Sequence, residues 1–208
     1  MGPLQILSSG VVVVALLVGQ PPVADDADTS IYRAAFEAVV KPEAERLAPK
    51  APSQRQPVVV NDRTIPLCAI SRTGPRPISL DCVGSELEAF EAKRRGQISL
   101  PFARVIKETT RATLALAFRE RNQRPQPFPG DSLVDTQSAS AEYISAAESA
   151  GRRVGVVRFS QPARSNDGFA LLFASYTCGY GCAQGWLILL NETEGAWRVV
   201  DKNLAWIS

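Results

Sequence analysis

From Val154 onward the chain repeats one pattern, in which apolar and β-branched runs are separated by turn residues at near-regular intervals. Nothing else in the sequence constrains the fold as strongly, because such runs joined by short turns pair as an antiparallel meander. Strands are expected at Val154–Ser160, Phe169–Thr177, Trp186–Asn191 and Trp197–Lys202, with a last extended piece at Leu204–Ile207. Asn166-Asp167-Gly168 reads as a turn and Glu192 to Gly195 as a tight hairpin loop. Side chains alternate along a strand, so Phe169, Leu171 and Phe173 share one face, and Leu172, Ala174 and Tyr176 the other. Both faces are partly apolar. One is expected to pack on helices, leaving the other to a loop, a partner or solvent.

The helices come from the preceding two-thirds. Between Ser30 and Ala48, Ile31, Ala34, Ala35, Ala38 and Val39 recur at helical spacing, with Phe36 widening the stripe and Ser30 as N-cap. Pro42 has no amide hydrogen and is expected to break or kink this run, leaving a short turn through Glu43 to Leu47. Pro49 to Pro57 is linker-like, Val58-Val59-Val60 a short strand, and Thr64 to Asp81 an irregular Pro-containing stretch. Ser85 and Glu88 form a capping box for a helix to Arg95, with glutamates early, Lys93, Arg94 and Arg95 late, and Leu87 and Phe90 facing inward. The helix dipole accounts for those carboxylates, so they are not read as an acid–base couple. Phe102–Ile106 is expected as a strand, and Thr109 or Thr110 as the cap of a helix to about Arg121. Pro125, Pro127 and Pro129-Gly130 open a polar loop that lasts through Ser140, and Ala141–Ala150 is one more helical piece. The sum is a single α+β domain over residues 25–208, its helices packed on the C-terminal meander, with linker-like segments near 49–57 and 125–140.

Val11 to Val18 is an unbroken apolar run. It is too short for a bilayer span of about 20 residues but suits the core of a secretory signal peptide. A signal peptide over residues 1–24 is therefore expected, with cleavage within residues 19–27; the alternative is a buried N-terminal strand or helix. The four cysteines agree with export, because an even count beside such a segment reads as a disulfide framework. Of the three possible pairings, Cys68–Cys82 and Cys178–Cys182 are favoured, since each closes a loop rich in turn residues. A loop of about 15 residues is worth roughly 3 kcal/mol in the chain-entropy model. Zinc and thiol-redox sites favour C-x-x-C, whereas Cys178-Gly-Tyr-Gly-Cys182 has the spacing and glycines of a pinned turn. The expected setting is periplasmic or secreted, with no stable transmembrane anchor and no metal.

The chain contains no histidine. That excludes Ser-His-Asp and Cys-His nucleophile activation in their usual forms, along with the commonest general base and transition-metal ligand. No dinucleotide, P-loop, nucleophile-elbow or zincin motif is present, so no cofactor is expected. Twenty-three basic residues against 21 acidic give a net charge of +2. Because Arg111, Arg119, Arg121, Arg124, Arg152 and Arg153 are spread over several segments, a nucleic-acid partner is not expected. Asn191-Glu192-Thr193 fits a glycosylation acceptor but falls where a hairpin turn favours those residues anyway. Trp186, Trp197 and Trp206 read as sheet core rather than a ligand face.

The ending combines Cys178-Gly-Tyr-Gly-Cys182-Ala-Gln-Gly185-Trp186, Gly195-Ala-Trp197 and Trp206-Ile207-Ser208. It resembles a widespread group of uncharacterised bacterial exported proteins that share a C-G-x-x-C-x-x-G turn, a G-x-W hairpin and a terminal W-[IV]-S. The resemblance covers about the last 40 residues and implies export, but carries no activity and no functional residue; the pair Cys68 and Cys82 is additional. Two functional classes follow. The first is a non-catalytic exported module that binds a protein or a small ligand. Its candidate contact residues are Tyr180 at the tip of the pinned turn and Gln184 beside it, an aromatic face and a two-way hydrogen-bonding group. The second is a hydrolase-like enzyme that uses carboxylates without histidine.

Overall fold

The computed structural model describes residues 26–47, 57–68, 82–84, 87, 90, 102–129, 133, 137–150, 154–178 and 182–207. Its centre is a seven-stranded sheet: β1 Val58–Asn61, β2 Gln137–Ala139, β3 Gly155–Phe159, β4 Ala163–Arg164, β5 Phe169–Thr177, β6 Ala183–Thr193 and β7 Ala196–Ile207. The strand order is β2-β1-β3-β5-β6-β7, with β4 pairing on β5. The expected antiparallel meander is present as β5-β6-β7, and β3 joins it antiparallel. At the far side β1 pairs in parallel with both β3 and β2, so the sheet is mixed. Strand β2 lies inside the stretch expected as a loop. Gln137-Ser138-Ala139 has no strand-like side-chain pattern, and its place comes from backbone pairing with Val59, Val60 and Asn61.

Strand β7 runs unbroken from Ala196 to Ile207, joining the two pieces expected there. Two irregularities in its register explain the apparent gap. Leu189 faces Asp201 while Leu190 faces Val199, and Gly185 faces Trp206 while Trp186 faces Leu204. Each leaves one extra residue on β7, Val200 and then Ala205, and each extra residue reverses the alternation of faces. The β6–β7 loop is Glu194-Gly195, with φ of 54° and 75°. Positive φ at both central positions is the two-residue hairpin turn that matches strand twist.

The helices are α1 Asp26–Ala35, continuing through a π-helical turn at Phe36–Val40 into α2 Lys41–Leu47, then α3 Glu108–Arg121 and α4 Ala141–Ser149. Four expectations are corrected. Ser30 is not an N-cap, because the helix already begins at Asp26. Pro42 does not end the helix: the Lys41 N–H donates back to the Phe36 carbonyl, and this wider turn opens the ladder just ahead of the proline ring. Phe102–Ile106 is a turn rather than a strand, with Phe102 at φ 65° and the N–H groups of Val105 and Ile106 both donating to its carbonyl. Phe102 and Ile106 are buried and the three residues between them exposed, a spacing of four that no alternating strand gives. Helix α3 starts one residue before Thr109, with Lys107 as N-cap and no side-chain cap.

The centre of the sheet is covered on both faces by the chain itself. On the first, Ile31, Tyr32, Ala35, Phe36 and Val39 pack on Leu172, Ala174, Ile188, Leu190 and Phe159. On the second, Leu114, Ala115 and Phe118 of α3 pack on Leu171, Phe173, Leu187 and Leu189. Leu87 and Phe90, expected to face inward, are helical and buried in this same cluster; the rest of the Ser85–Arg95 helix lies outside the described residues. Helix α4 adds Ile144 and Ala147 over Val59 and Val156. Cysteines pair as Cys68–Cys82 and Cys178–Cys182, with Cα separations of 4.8 and 5.2 Å. The signal-like segment lies outside the described residues, as does the linker up to Gln56.

Candidate functional site

The Cys178–Cys182 pair that the sequence singled out closes one end of the sheet, where β5 ends and β6 begins. Backbone N–H of Cys178 donates to the Cys182 carbonyl, so the turn is closed by a hydrogen bond as well as by the disulfide. Tyr180 lies outside the described residues. Gln184 is inside strand β6, paired with Tyr176 on one side and Ile207 on the other, and only 8% exposed. Its place beside an exposed tip is therefore corrected: β6 begins at Ala183, three residues earlier than expected, and takes Gln184 into the sheet. Among the described residues, the exposed large apolar side chains here belong to β7. Leu204 is 48% exposed and Ile207 61%, opposite Trp186 and Gln184 and so on the face that carries α1. Sequence alternation alone could not place them, because the extra residues at Val200 and Ala205 set their facing.

On the opposite face the terminal tryptophan turns inward. Trp206 is buried beside Phe173 and Leu187, directly across from Gly185. A Cβ at Gly185 would lie 2.5 Å from Trp206 Nε1, 2.6 Å from its Cε2 and 3.0 Å from Phe173 Cζ. The indole thus fills the space that glycine leaves. This contact gives a packing reason for a glycine after the second cysteine and a tryptophan near the terminus.

A buried charge cluster lies at the other end. Asp28 of α1 is almost fully buried and meets the Arg121 guanidinium at 2.5 Å and that of Arg164 at 3.8 Å. Burial first, then the Asp28 carboxylate, push the nearby Tyr32 phenol well above its ordinary range, with Arg121 opposing. Next to it, buried Asn122 accepts from the Gln161 N–H and donates to the Gln161 and Phe118 carbonyls. These bonds tie α3, α1 and the β3–β4 connection together. Asp28 is therefore engaged as a structural carboxylate, whereas an acid–base group needs a free lone pair facing substrate. A hollow of about 270 Å³ lies against α3, lined by Glu108, Arg111, Ala112, Ala115, Leu116 and Arg119. Within it the Arg111 guanidinium donates to Glu108 at 3.0 Å. Among the described residues no three Cys, Asp or Glu side chains converge as a metal site.

The turn Asn166–Gly168 carries a second carboxylate bonded at both oxygens. Asp167 accepts from the hydroxyls of Ser165 and Thr110, linking the β4–β5 turn to α3. Those two bonds, Ser165 first, hold its carboxyl below the usual aspartate range. A lowered native pKa contributes stability above the unfolded value, about 4, which is lost as pH falls through the native value. Asp167→Asn should therefore be less stable than wild type at neutral pH, with the gap closing below about pH 4. Thermal melts across that range test this; a gap independent of pH would assign the loss to shape instead of charge.

Neither a known family model nor a curated protein nor a solved structure matches the chain.

Proposed function

We propose that this protein is an exported, non-catalytic interaction module whose partner is another protein. The observation that carries this reading is the outer strand β7. It is the last strand in the sheet order, and it holds Val200, Leu204 and Ile207 at 44%, 48% and 61% exposure. Leu204 and Ile207, both exposed on the α1 face of a rigid edge strand, suit a protein surface better than a small ligand, which needs a concavity. The bulges at Val200 and Ala205 disfavour continuous pairing with another strand along this edge, so recognition runs through side chains. Tyr180, between Cys178 and Cys182 in the sequence, is added to the proposed surface because a turn closed by a disulfide loses little entropy on binding.

Export is supported by the two disulfides and by the apolar segment ahead of Gln20-Pro21-Pro22. No helix among the described residues is long and apolar enough to cross a membrane. The resemblance of the last 40 residues to exported bacterial proteins points the same way.

Site-specific photocrosslinking in the native host tests the surface. A crosslinker at Ile207 or Leu204 is expected to give a discrete protein adduct, and one at Tyr143, 46% exposed on α4, is not. Equal adducts at all three positions, or none at β7, would remove this surface. Mass spectrometry of the same material is expected to find a mature N-terminus within residues 19–27; an intact Met1 would reject export by a cleaved signal.

A further inference from the structure

Strands β3, β5, β6 and β7 place Arg158, Ser175, Gly185 and Trp206 in one cross-strand row. Ser175 follows Phe173 by two residues and so lies on the face of Trp206. Ser175 Oγ and Trp206 Nε1 are the buried side-chain polar atoms that lack a hydrogen-bond partner among the described residues. Ser175 is fully buried and Trp206 is 7% exposed, so bulk solvent is not available to either. Buried donors and acceptors in folded proteins are nearly always paired, with protein or with an ordered water.

The position of these two atoms suggests the partner. Gly185 stands between them and has no side chain. Trp206 Nε1 lies 2.5 Å from where its Cβ would be, which puts the indole N–H over the glycine. Directly opposed residues in a sheet have Cβ positions about 4.5–5.5 Å apart, so the Ser175 hydroxyl lies across the same gap. The two atoms do not bond to each other, and one bridging oxygen can join two such neighbours. Indole offers a donor only, whereas a hydroxyl both donates and accepts. The bridging species must therefore accept from Trp206 and is free to exchange either way with Ser175.

We infer that a single internal water molecule links Ser175 Oγ to Trp206 Nε1 across Gly185, joining β5 to β7 over the middle strand. Water meets the donor–acceptor requirement and is small enough for an enclosed place between strands. The link fastens the C-terminal end of β7 from the inner side, independently of any partner on its outer side.

A crystal structure of the wild-type protein at a resolution that orders internal solvent decides the matter. The expected result is one oxygen peak within about 2.7–3.2 Å of both atoms. A direct Ser175–Trp206 hydrogen bond, a protein group bonded to the indole N–H, or absence of any peak would each overturn the inference. Ser175→Val supplies a second test, because its methyl takes the hydroxyl's place; the peak is expected to disappear, and its persistence at full occupancy would show that Ser175 does not hold it. If that variant does not fold, the wild-type map still gives the answer.

Discussion

Trp206→Ala is expected to lower the stability of the protein by about 3–5 kcal/mol, the usual cost of emptying a buried aromatic site. Gly185→Ala is expected to lower it by about 1–3 kcal/mol, an overpacking cost. The reason is one contact: a methyl at Gly185 would sit 2.5 Å from the indole nitrogen and 3.0 Å from Phe173, so the ring has to leave its place. The two changes should be strongly non-additive. Once the indole is gone, an added methyl at residue 185 enters the space it vacated, and the second change becomes nearly neutral. Urea denaturation of both single variants and the double variant measures this coupling. If Gly185→Ala costs as much in the Trp206→Ala background as in wild type, the glycine is required by something other than the ring.

That contact shows what the sequence could and could not reveal. The meander was legible because turn residues recur between β-rich runs, and Glu192 to Gly195 announced a hairpin that the structure narrows to Glu194-Gly195. Cys68–Cys82 was legible from loop chemistry alone. The facing of β7 was not, because two extra residues reverse the alternation on which any facing argument depends. The parallel strands β1 and β2 were half legible. Val58–Val60 has a strand composition, whereas Gln137–Ala139 pairs only through its backbone and so leaves no side-chain signature. Pro42 was legible in part: it interrupts the α-helix without ending it, since a π-helical turn accommodates a proline that a regular α-helix would reject.

The candidate surface was legible only in outline. Glycines and paired cysteines marked the β5–β6 turn, but Gln184 reads as a loop residue until the length of β6 is known. Leu204 and Ile207 read as members of an ordinary strand until its edge position is known. Neither edge position nor strand length is a local property. Both depend on which distant segments pair, and these are the non-local choices that a periodic pattern leaves open.

Arg121→Met is expected to cost about 3 kcal/mol, because it strips the main partner from a buried carboxylate. Asp28→Asn should cost less. Asp28 retains only 6% side-chain exposure and cannot turn to water, whereas Arg121 retains 33% and can. Removing the acid therefore leaves a cation that solvent still reaches, while removing the base leaves an anion whose nearest remaining guanidinium is Arg164 at 3.8 Å. The double variant Asp28→Leu, Arg121→Met should be more stable than Arg121→Met alone, since the uncompensated buried carboxylate is gone and Arg164, 35% exposed, still reaches solvent. Chemical denaturation of the three variants checks the order. If the double variant loses the sum of the Asp28→Leu and Arg121→Met losses, each measured on its own, the pair does not act as a unit. Its position would then matter through packing at the junction of α1, α3 and β4, the place where the helices on opposite faces of the sheet meet around its edge.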